Sequence, residues 1–129
     1  MSGSRSGDDW VRLRVLEEAR DDVRALDRAL QGVVADLVVE LHRNPYRGDP
    51  LEEAAPFPIL AECRRIRFDE ANWSQKPRYR LIYRNEPHDG SPHEVVVLAV
   101  GRREKLIAYV RAAGRVGEEI RQRGRGRPA

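Results

Sequence analysis

Arginine side chains recur at alternate positions in two short segments that have the composition of β-strands. The first segment, CRRIRF, contains Arg65 and Arg67, and the second, PRYRLIYR, contains Arg78, Arg80 and Arg84. Side chains at positions i and i+2 of a strand share one face, so Arg65, Arg67 and Arg80 are predicted to converge if the two strands pair. Like charges on neighbouring strands repel, and such a cluster therefore requires an anion: a phosphate, a partner protein or an acidic neighbour.

An alternative interpretation treats these arginines as part of a solvated sheet face. Three acidic residues, Asp69, Glu70 and Glu94, are available in the same half of the chain to pair with them. The sequence alone does not choose between ion pairs within the sheet and binding of an external anion.

A second basic cluster follows the apolar segment EVVVLAV. Gly101, Arg102 and Arg103 lie where this strand pattern changes to a helical one, and Tyr109 follows about one and a half turns along the helix. Arginines beside the backbone N–H groups of a helix start are suited to bind an anion. The helix dipole disfavours arginine there, which is a reason to infer function. The alternative is that Tyr109 packs on the apolar stripe and the arginines are solvated.

The charge is distributed unevenly along the 129 residues. Residues 1–62 contain eight Arg and thirteen Asp or Glu, a net charge of −5, whereas residues 63–129 contain fourteen Arg, two Lys and eight acids, a net charge of +8. A basic C-terminal half is typical of proteins that bind a polyanion. The single cysteine, Cys63, favours a reducing, cytoplasmic setting, and no apolar run is long enough to span a membrane.

Hydrophobic periodicity predicts one α+β domain over residues 10–117, between flexible tails at 1–9 and 118–129. The sheet is expected to be small and antiparallel with about four strands, an N-terminal helical hairpin on one face and a C-terminal helix. The predicted elements are a strand at 10–16, a helix at 17–30, a break at Gly32, a helix at 33–41, a loop at 45–61, strands at 63–68, 77–84 and 94–100, and a helix at 103–115.

Three segments in a fixed order resemble the C-terminal half of RelE/ParE-family toxins from toxin–antitoxin systems. These segments are CRRIRF, PRYRLIY and EVVVLAVGRREKLIAYVRAAGRV, which together cover about residues 62–116. The resemblance implies a RelE-like fold and a ribosome-dependent mRNA endoribonuclease. In such an enzyme the mRNA 2′-OH attacks the adjacent phosphate, and a cyclic phosphate is left. It also implies a cognate antitoxin as partner, with mRNA and the ribosomal A site as targets, and no cofactor or metal.

The resemblance carries over to individual positions. The matching catalytic positions are Arg65, Arg67, Arg80, Arg103 and Tyr109, and the neighbouring arginines expected to bind RNA are Arg78, Arg84 and Arg102. Guanidinium groups suit the phosphate charge of the transition state. Tyr109 can accept the 2′-OH proton only if these arginines favour its phenolate form.

One departure from the family pattern concerns the proton acceptor. Arg65 and Arg67 stand where the family usually has lysine, and an arginine does not exchange its proton as a lysine can. Two other functions therefore stay open, a ParE-like toxin that inhibits DNA gyrase and a non-catalytic binding module of the same fold. A longer segment between the strands also contains Trp73, which either anchors its loop or stacks on a base.

Overall fold

The computed structural model describes residues 10–51 and 57–126, with side chains through residue 122, so the predicted N-terminal tail at 1–9 lies outside the described residues. It contains five strands and three α-helices. The elements are β1 (Arg12–Val15), α1 (Glu17–Arg24), α2 (Arg28–Arg43), β2 (Asp49–Pro50), β3 (Cys63–Phe68), β4 (Tyr79–Glu86), β5 (Glu94–Arg102) and α3 (Ile107–Gly126), with 3₁₀ turns at Pro58–Leu60 and Glu104–Leu106.

The strands form one sheet in the order β1-β5-β4-β3-β2. The predicted α+β class is confirmed, but the sheet is mixed rather than antiparallel, because β1 runs parallel to β5. It also has five strands rather than four, since Asp49–Pro50 pairs with β3 from within the predicted loop. A two-residue strand has no readable alternation. The direction of β1 depends on a partner at the far end of the domain, so local sequence could not reveal either feature.

The apolar segment of β5 lies inside the sheet, between β1 and β4, as its composition predicts for a strand covered on both faces. Residues Val95 to Val100 are all buried, as are Leu81, Ile82 and Tyr83 of β4. The two strands are paired through a β-bulge after Ile82, which places Tyr83 opposite Val97. Burying each of these side chains contributes about 1.5–3 kcal/mol of hydrophobic stabilisation, which fixes the strands that carry the basic residues.

The break between the first two helices lies at Ala25–Asp27, not at Gly32 as predicted. Asp27 is the N-cap of α2, and its side chain accepts a hydrogen bond from the backbone N–H of Leu30 at 3.0 Å. Gly32 lies inside α2 and is exposed. An N-cap hydrogen bond stabilises a helix by about 1 kcal/mol, and a glycine inside a helix costs about as much. The cap at Asp27 therefore offsets the cost of Gly32, and α2 begins after Asp27.

The C-terminal segment also differs from its prediction. The strand β5 continues through Gly101 to Arg102, and α3 begins at Ile107 rather than at Arg103. Lys105 and Leu106 have φ values of 54° and 56°, and two left-handed residues prevent an earlier helix start. The helix then continues to Gly126, so most of the predicted flexible tail is helical.

A buried carboxylate joins α1, β5 and α3. Asp22 accepts hydrogen bonds from the backbone N–H of Val100 at 3.0 Å and from Arg115 Nη1 at 2.6 Å. The neighbouring strand β1 ends at Val15, the register partner of Val97. Beyond Val97, the edge of β5 that β1 no longer covers is hydrogen-bonded by Asp22 of α1 instead. Arg115 also donates to the carbonyl oxygen of Leu98, and α3 is thereby held against the sheet. None of the helices in the described part of the chain is long and apolar enough to cross a membrane.

Candidate active site

Four of the five predicted catalytic residues lie together between the sheet and α3. Arg67 and Arg80 are register partners in the β3–β4 pair, and Arg65 lies two residues along the same face. From that face, Arg65 Nη1 donates a hydrogen bond to the hydroxyl of Tyr109 on α3, at 3.3 Å. Arg80 also interacts with the Tyr109 hydroxyl. The strand alternation read from the sequence therefore placed these side chains together correctly.

The guanidinium group of Arg80 is buried, with 6% of the residue exposed. Its Nη1 donates to the carbonyl oxygens of Pro77 at 2.9 Å and Tyr79 at 2.8 Å. Its buried Nε has no hydrogen-bond partner within the described residues. Burial lowers the pKa of Arg80, the charges of Arg67 and Arg65 also lower it, and Tyr109 raises it. A buried cation beside like charges is costly unless an anion compensates it, so this geometry favours an anionic ligand.

A cavity of about 640 Å³ opens beside Arg80. Six of the eight residues that line it are cationic and one is acidic. The lining residues are Arg67, Lys76, Pro77, Arg78, Arg80, Arg102, Arg103 and Glu104. A concave site with this excess of positive charge concentrates anions.

The turn between β5 and α3 brings Arg103 to this cavity. The backbone N–H of Arg103 donates to the carbonyl oxygen of Arg78 at 2.9 Å, which ties the turn to the start of β4. The two left-handed residues that follow, Lys105 and Leu106, redirect the chain into α3. Left-handed conformations of residues other than glycine cost energy and are found at functional sites more often than elsewhere.

Of the predicted RNA-binding arginines, Arg78 is paired within the protein. Its Nε and Nη2 donate to the two carboxylate oxygens of Asp69 at 2.9 and 2.8 Å. This bidentate pair holds the pKa of Asp69 at about 2. For Arg78, the ion pair proposed as the alternative interpretation is therefore present, although the side chain still lines the cavity.

The other two predicted RNA-binding residues differ in position. Arg102 is exposed at the cavity, with its guanidinium carbon 5.3 Å from the ring centroid of Tyr79. Arg84 forms an ion pair with Glu86 at 2.9 Å and does not line the cavity. Arg84 shares a sheet face with Arg80, but it lies four residues further along β4. The alternation pattern predicts the face of a side chain and not how far along the strand the cavity extends.

Lys76 is a cavity residue that the sequence analysis did not single out. It lies outside any strand, in the segment that leads into β4, and therefore belongs to no alternating pattern. The available signal was its position directly before Pro77, at the start of a strand that was already identified as basic.

Neither a reactive cysteine nor a metal site is found among the described residues. Burial raises the pKa of the Cys63 thiol to about 12, which keeps it protonated and unreactive. In the described ranges, no group of His, Cys, Asp and Glu side chains is arranged to hold a metal ion.

The sequence from residue 13 to residue 107 matches the family model described as the ParE toxin of the type II toxin–antitoxin system parDE. This chain belongs to that family of toxins. The match extends from β1 to the start of α3, so it includes the N-terminal half, where the sequence resemblance was weakest. The protein is thus the toxin of a toxin–antitoxin system within the RelE/ParE superfamily. No curated protein sequence matches this toxin.

Solved structures similar to this toxin include RelE proteins. A double arginine-to-alanine mutant of E. coli toxin RelE in the free state has 22% identity and a TM-score of 0.58, covering 82% of this chain and 97% of that one. The toxin–antitoxin complex RelBE2 from Mycobacterium tuberculosis gives 27% identity and a TM-score of 0.51, covering 73% and 99%. The isolated E. coli RelE toxin gives 21% identity and a TM-score of 0.50, covering 82% and 98%. The RelE-like fold that the resemblance implied is confirmed.

Proposed function

We propose that this toxin is a ribosome-dependent mRNA endoribonuclease that inhibits translation. The observation that carries the proposal is the hydrogen bond from Arg65 to the Tyr109 hydroxyl, close to Arg80, which lines the basic cavity. The reaction is attack of the mRNA 2′-OH on the adjacent phosphate, which breaks the bond to the 5′-oxygen and leaves a 2′,3′-cyclic phosphate. A ribosomal target also requires the cytoplasm, the compartment expected from the single cysteine.

The cavity arginines supply the positive charge that this transition state requires. Arg67, Arg80 and Arg103 line the cavity, and their fixed guanidinium groups stabilise the negative charge that develops on the phosphate. The guanidinium of Arg80 is already held by two backbone carbonyls, so little reorganisation accompanies the reaction.

The proton acceptor in this proposal is Tyr109. Its hydroxyl oxygen accepts a hydrogen bond from Arg65, which holds that oxygen beside the sheet arginines in a position to receive the proton of the 2′-OH. The departing 5′-oxygen is stabilised by the guanidinium of Arg103 at the cavity wall and takes up a proton from water. This division uses Arg65 and Arg67 as electrostatic groups, so the absence of lysine from positions 65 and 67 does not prevent the reaction.

A cognate antitoxin is the expected protein partner. One similar structure is described as the RelBE2 toxin–antitoxin complex. Another is described as E. coli RelE with an antitoxin RelBc peptide, at 23% identity and a TM-score of 0.50. An acidic antitoxin segment would complement the basic cavity and exclude RNA from it.

Inhibition of DNA gyrase without RNA cleavage is a second candidate function. It is favoured by the family match, since the matching model is that of ParE toxins. Gyrase inhibition without RNA cleavage does not explain the basic cavity beside Tyr109.

Induced expression with primer extension on a translated reporter mRNA tests these proposals. The proteins to compare are the wild type and the variants Arg80→Ala, Arg103→Ala and Tyr109→Phe. Growth arrest with cuts that require translation and disappear in the variants is the expected result. Arrest without cuts would support the gyrase candidate, and absence of arrest would reject both candidates in favour of a non-catalytic binding module.

A further inference from the structure

The segment between β3 and β4 holds a tryptophan and an arginine in a fixed stack. The guanidinium carbon of Arg78 lies 3.5 Å from the ring centroid of Trp73. Asp69 receives three hydrogen bonds from Arg78, from its backbone N–H, its Nε and its Nη2. The indole N–H of Trp73 donates to the carbonyl oxygen of Lys76 at 3.1 Å. These bonds determine the orientation of both planar groups before any ligand binds.

The stack is poorly suited to bind a phosphate. Asp69 neutralises the charge of Arg78 and occupies two of the nitrogen atoms that would otherwise grip a phosphate bidentately. Nη2 of Arg78 also donates to Glu70 at 3.4 Å, so the group offers a ligand mainly its flat face, and the guanidinium carbon lies 5.5 Å from the ring centroid of Tyr79. Arg78 lines the cavity and Trp73 does not, so Arg78 is the member of the stack that a ligand in the cavity can contact.

The remaining cavity cations can bind the phosphates. Arg67, Arg80, Arg103 and Lys76 line the cavity together with Arg78. A nucleic acid backbone that contacts these groups would bring its bases within reach of the wall formed by Arg78. Guanidinium planes and aromatic rings are the groups on which proteins stack the bases of single-stranded RNA.

We propose that the face of Arg78 backed by Trp73 is a stacking platform for one nucleobase of a single-stranded RNA. The platform serves the nucleotide beside the phosphate held by Arg80, and in this respect it rests on the proposed nuclease function. Trp73 acts by supporting Arg78, and Asp69 acts by holding the guanidinium plane in position. The ligand is a base-bearing RNA, not an acidic peptide.

The test compares binding of two probes of equal phosphate number, a short single-stranded RNA and an abasic ribose-phosphate oligomer. Full-length Tyr109→Phe protein serves as the background, which prevents cleavage during the measurement. The variants are Trp73→Leu, which removes the support, and Arg78→Lys, which keeps the charge but lacks a planar face. The matched control is Trp10→Leu, because the chain has two tryptophans and Trp10 also lies against an arginine, Arg43, at 4.7 Å.

Both platform variants are expected to weaken RNA binding about tenfold, which corresponds to about 1.4 kcal/mol, because each loses the stacking of one base. Binding of the abasic oligomer should not change, Trp10→Leu should bind as the background does, and Trp73→Phe should restore most of the affinity. Equal losses for both probes, no loss in Arg78→Lys, or no RNA binding at all would overturn the platform. If the platform variants bound a poly-glutamate peptide as weakly as they bind RNA, the Arg78 wall would be a protein-binding surface. That result would also overturn the platform.

The platform and the nuclease can fail separately. Urea unfolding midpoints identify any variant that has lost its fold, in which case Arg78→Lys and Trp73→Phe decide the outcome. Translation-dependent cuts that persist while base-dependent binding is absent would overturn only the platform. Base-dependent binding without translation-dependent cuts would overturn only the nuclease.

Discussion

The hydroxyl of Tyr109 joins α3 to the basic face of the sheet. It accepts a hydrogen bond from Arg65 of β3, and it raises the pKa of the neighbouring Arg80 of β4. Both arginines remain charged during the proposed reaction, so the tyrosine is the member of this cluster that can move a proton.

Replacing Tyr109 with phenylalanine tests this role. We expect translation-dependent cleavage to fall by about 100-fold or more, because general acid–base groups contribute about 10²–10⁴ to a rate. The free energy of unfolding should fall by only about 1 kcal/mol, the usual contribution of one hydrogen bond. Tyr46→Phe is the control, since it removes a hydroxyl that donates to the Asp89 carbonyl oxygen away from the cavity. A similar loss of cleavage in both variants would contradict the assignment.

The pair of Asp69 and Arg78 predicts a pH dependence of stability. The pKa of Asp69 is lowered to about 2 in the folded protein from an ordinary 3.8, mainly by hydrogen bonds from Arg78. In acid the unfolded chain therefore binds a proton that the folded chain does not. The stabilisation is complete above about pH 5 and is lost as the pH falls toward about 2.

Urea unfolding of the wild type and of Asp69→Asn checks this pH dependence. The variant should be less stable at neutral pH, and the difference should shrink as the pH is lowered through this window. A difference that stays constant with pH would show that the pair contributes nothing through ionisation.

At the residue scale, the sequence predicted which side chains lie together better than it predicted their hydrogen-bond partners. Alternation along two strands was sufficient to bring Arg65, Arg67 and Arg80 together, because the core fixes which face each side chain takes. The pairing of Arg78 with Asp69 depends on how the long segment between the strands folds back. Periodicity contains no information about that path.

At the element scale, two glycines show why local signals can mislead. Gly32 was expected to end a helix, but an added Cβ there would meet no atom within 4 Å. At Gly48, before β2, an added Cβ would lie 2.8 Å from both the Arg65 carbonyl oxygen and Tyr83 Cε1. The Gly48 N–H also donates to the Tyr83 hydroxyl at 2.9 Å. The glycine that matters to the fold is therefore in the segment expected to be a loop.

Alanine substitutions at these two positions should have opposite effects. Gly32→Ala should stabilise the protein by about 0.5–1 kcal/mol, because alanine favours the helix and restricts the unfolded chain. Gly48→Ala should destabilise it by about 1–3 kcal/mol, because backbone and ring atoms must shift to admit the methyl group. Thermal unfolding of the two variants measures both effects, and a destabilised Gly32→Ala would contradict the open surroundings described for α2.

The carboxylate of Asp22 is expected to dominate the attachment of α3. Asp22→Ala leaves Arg115 and the Val100 N–H without their shared acceptor and should cost about 3 kcal/mol or more. The control is the adjacent Asp21→Ala, whose exposed pair with Arg24 should contribute less than about 0.5 kcal/mol. Urea unfolding compares the two, and hydrogen exchange should show faster opening of α3 in the first variant. Equal effects of the two substitutions would rule out the proposed attachment.

At the scale of the whole molecule, the basic C-terminal half supplies every residue of the cavity. The half with a net charge of −5 contains α1 and α2, and the half with a net charge of +8 contains the strands β3, β4 and β5 beside the cavity. This asymmetry was readable from the sequence, because charge distribution requires no knowledge of topology. The mixed sheet was not readable, because it depends on a pairing between the two ends of the domain.

Salt should weaken RNA binding in proportion to the number of phosphate contacts. A plot of log affinity against log salt concentration is expected to be linear, and Arg103→Ala should reduce its slope by about 1. Arg84→Ala should leave the slope unchanged, because that arginine pairs with Glu86 outside the cavity. An unchanged slope for Arg103→Ala would place this arginine outside the RNA contacts.

The parallel pairing of β1 with β5 has a consequence for the order of synthesis. Arg12 is the register partner of Glu94, so β1, the first of the described strands to be made, can pair only after β5, the last of them, has been made. The interior strand β5 is thus the last of the described strands to emerge, and α3, which carries Tyr109, follows it. Before β5 has been made, β2, β3 and β4 can pair with one another, but β1 has no partner and Tyr109 is still missing. Chains that end before α3 therefore lack the hydrogen bond between Arg65 and the Tyr109 hydroxyl.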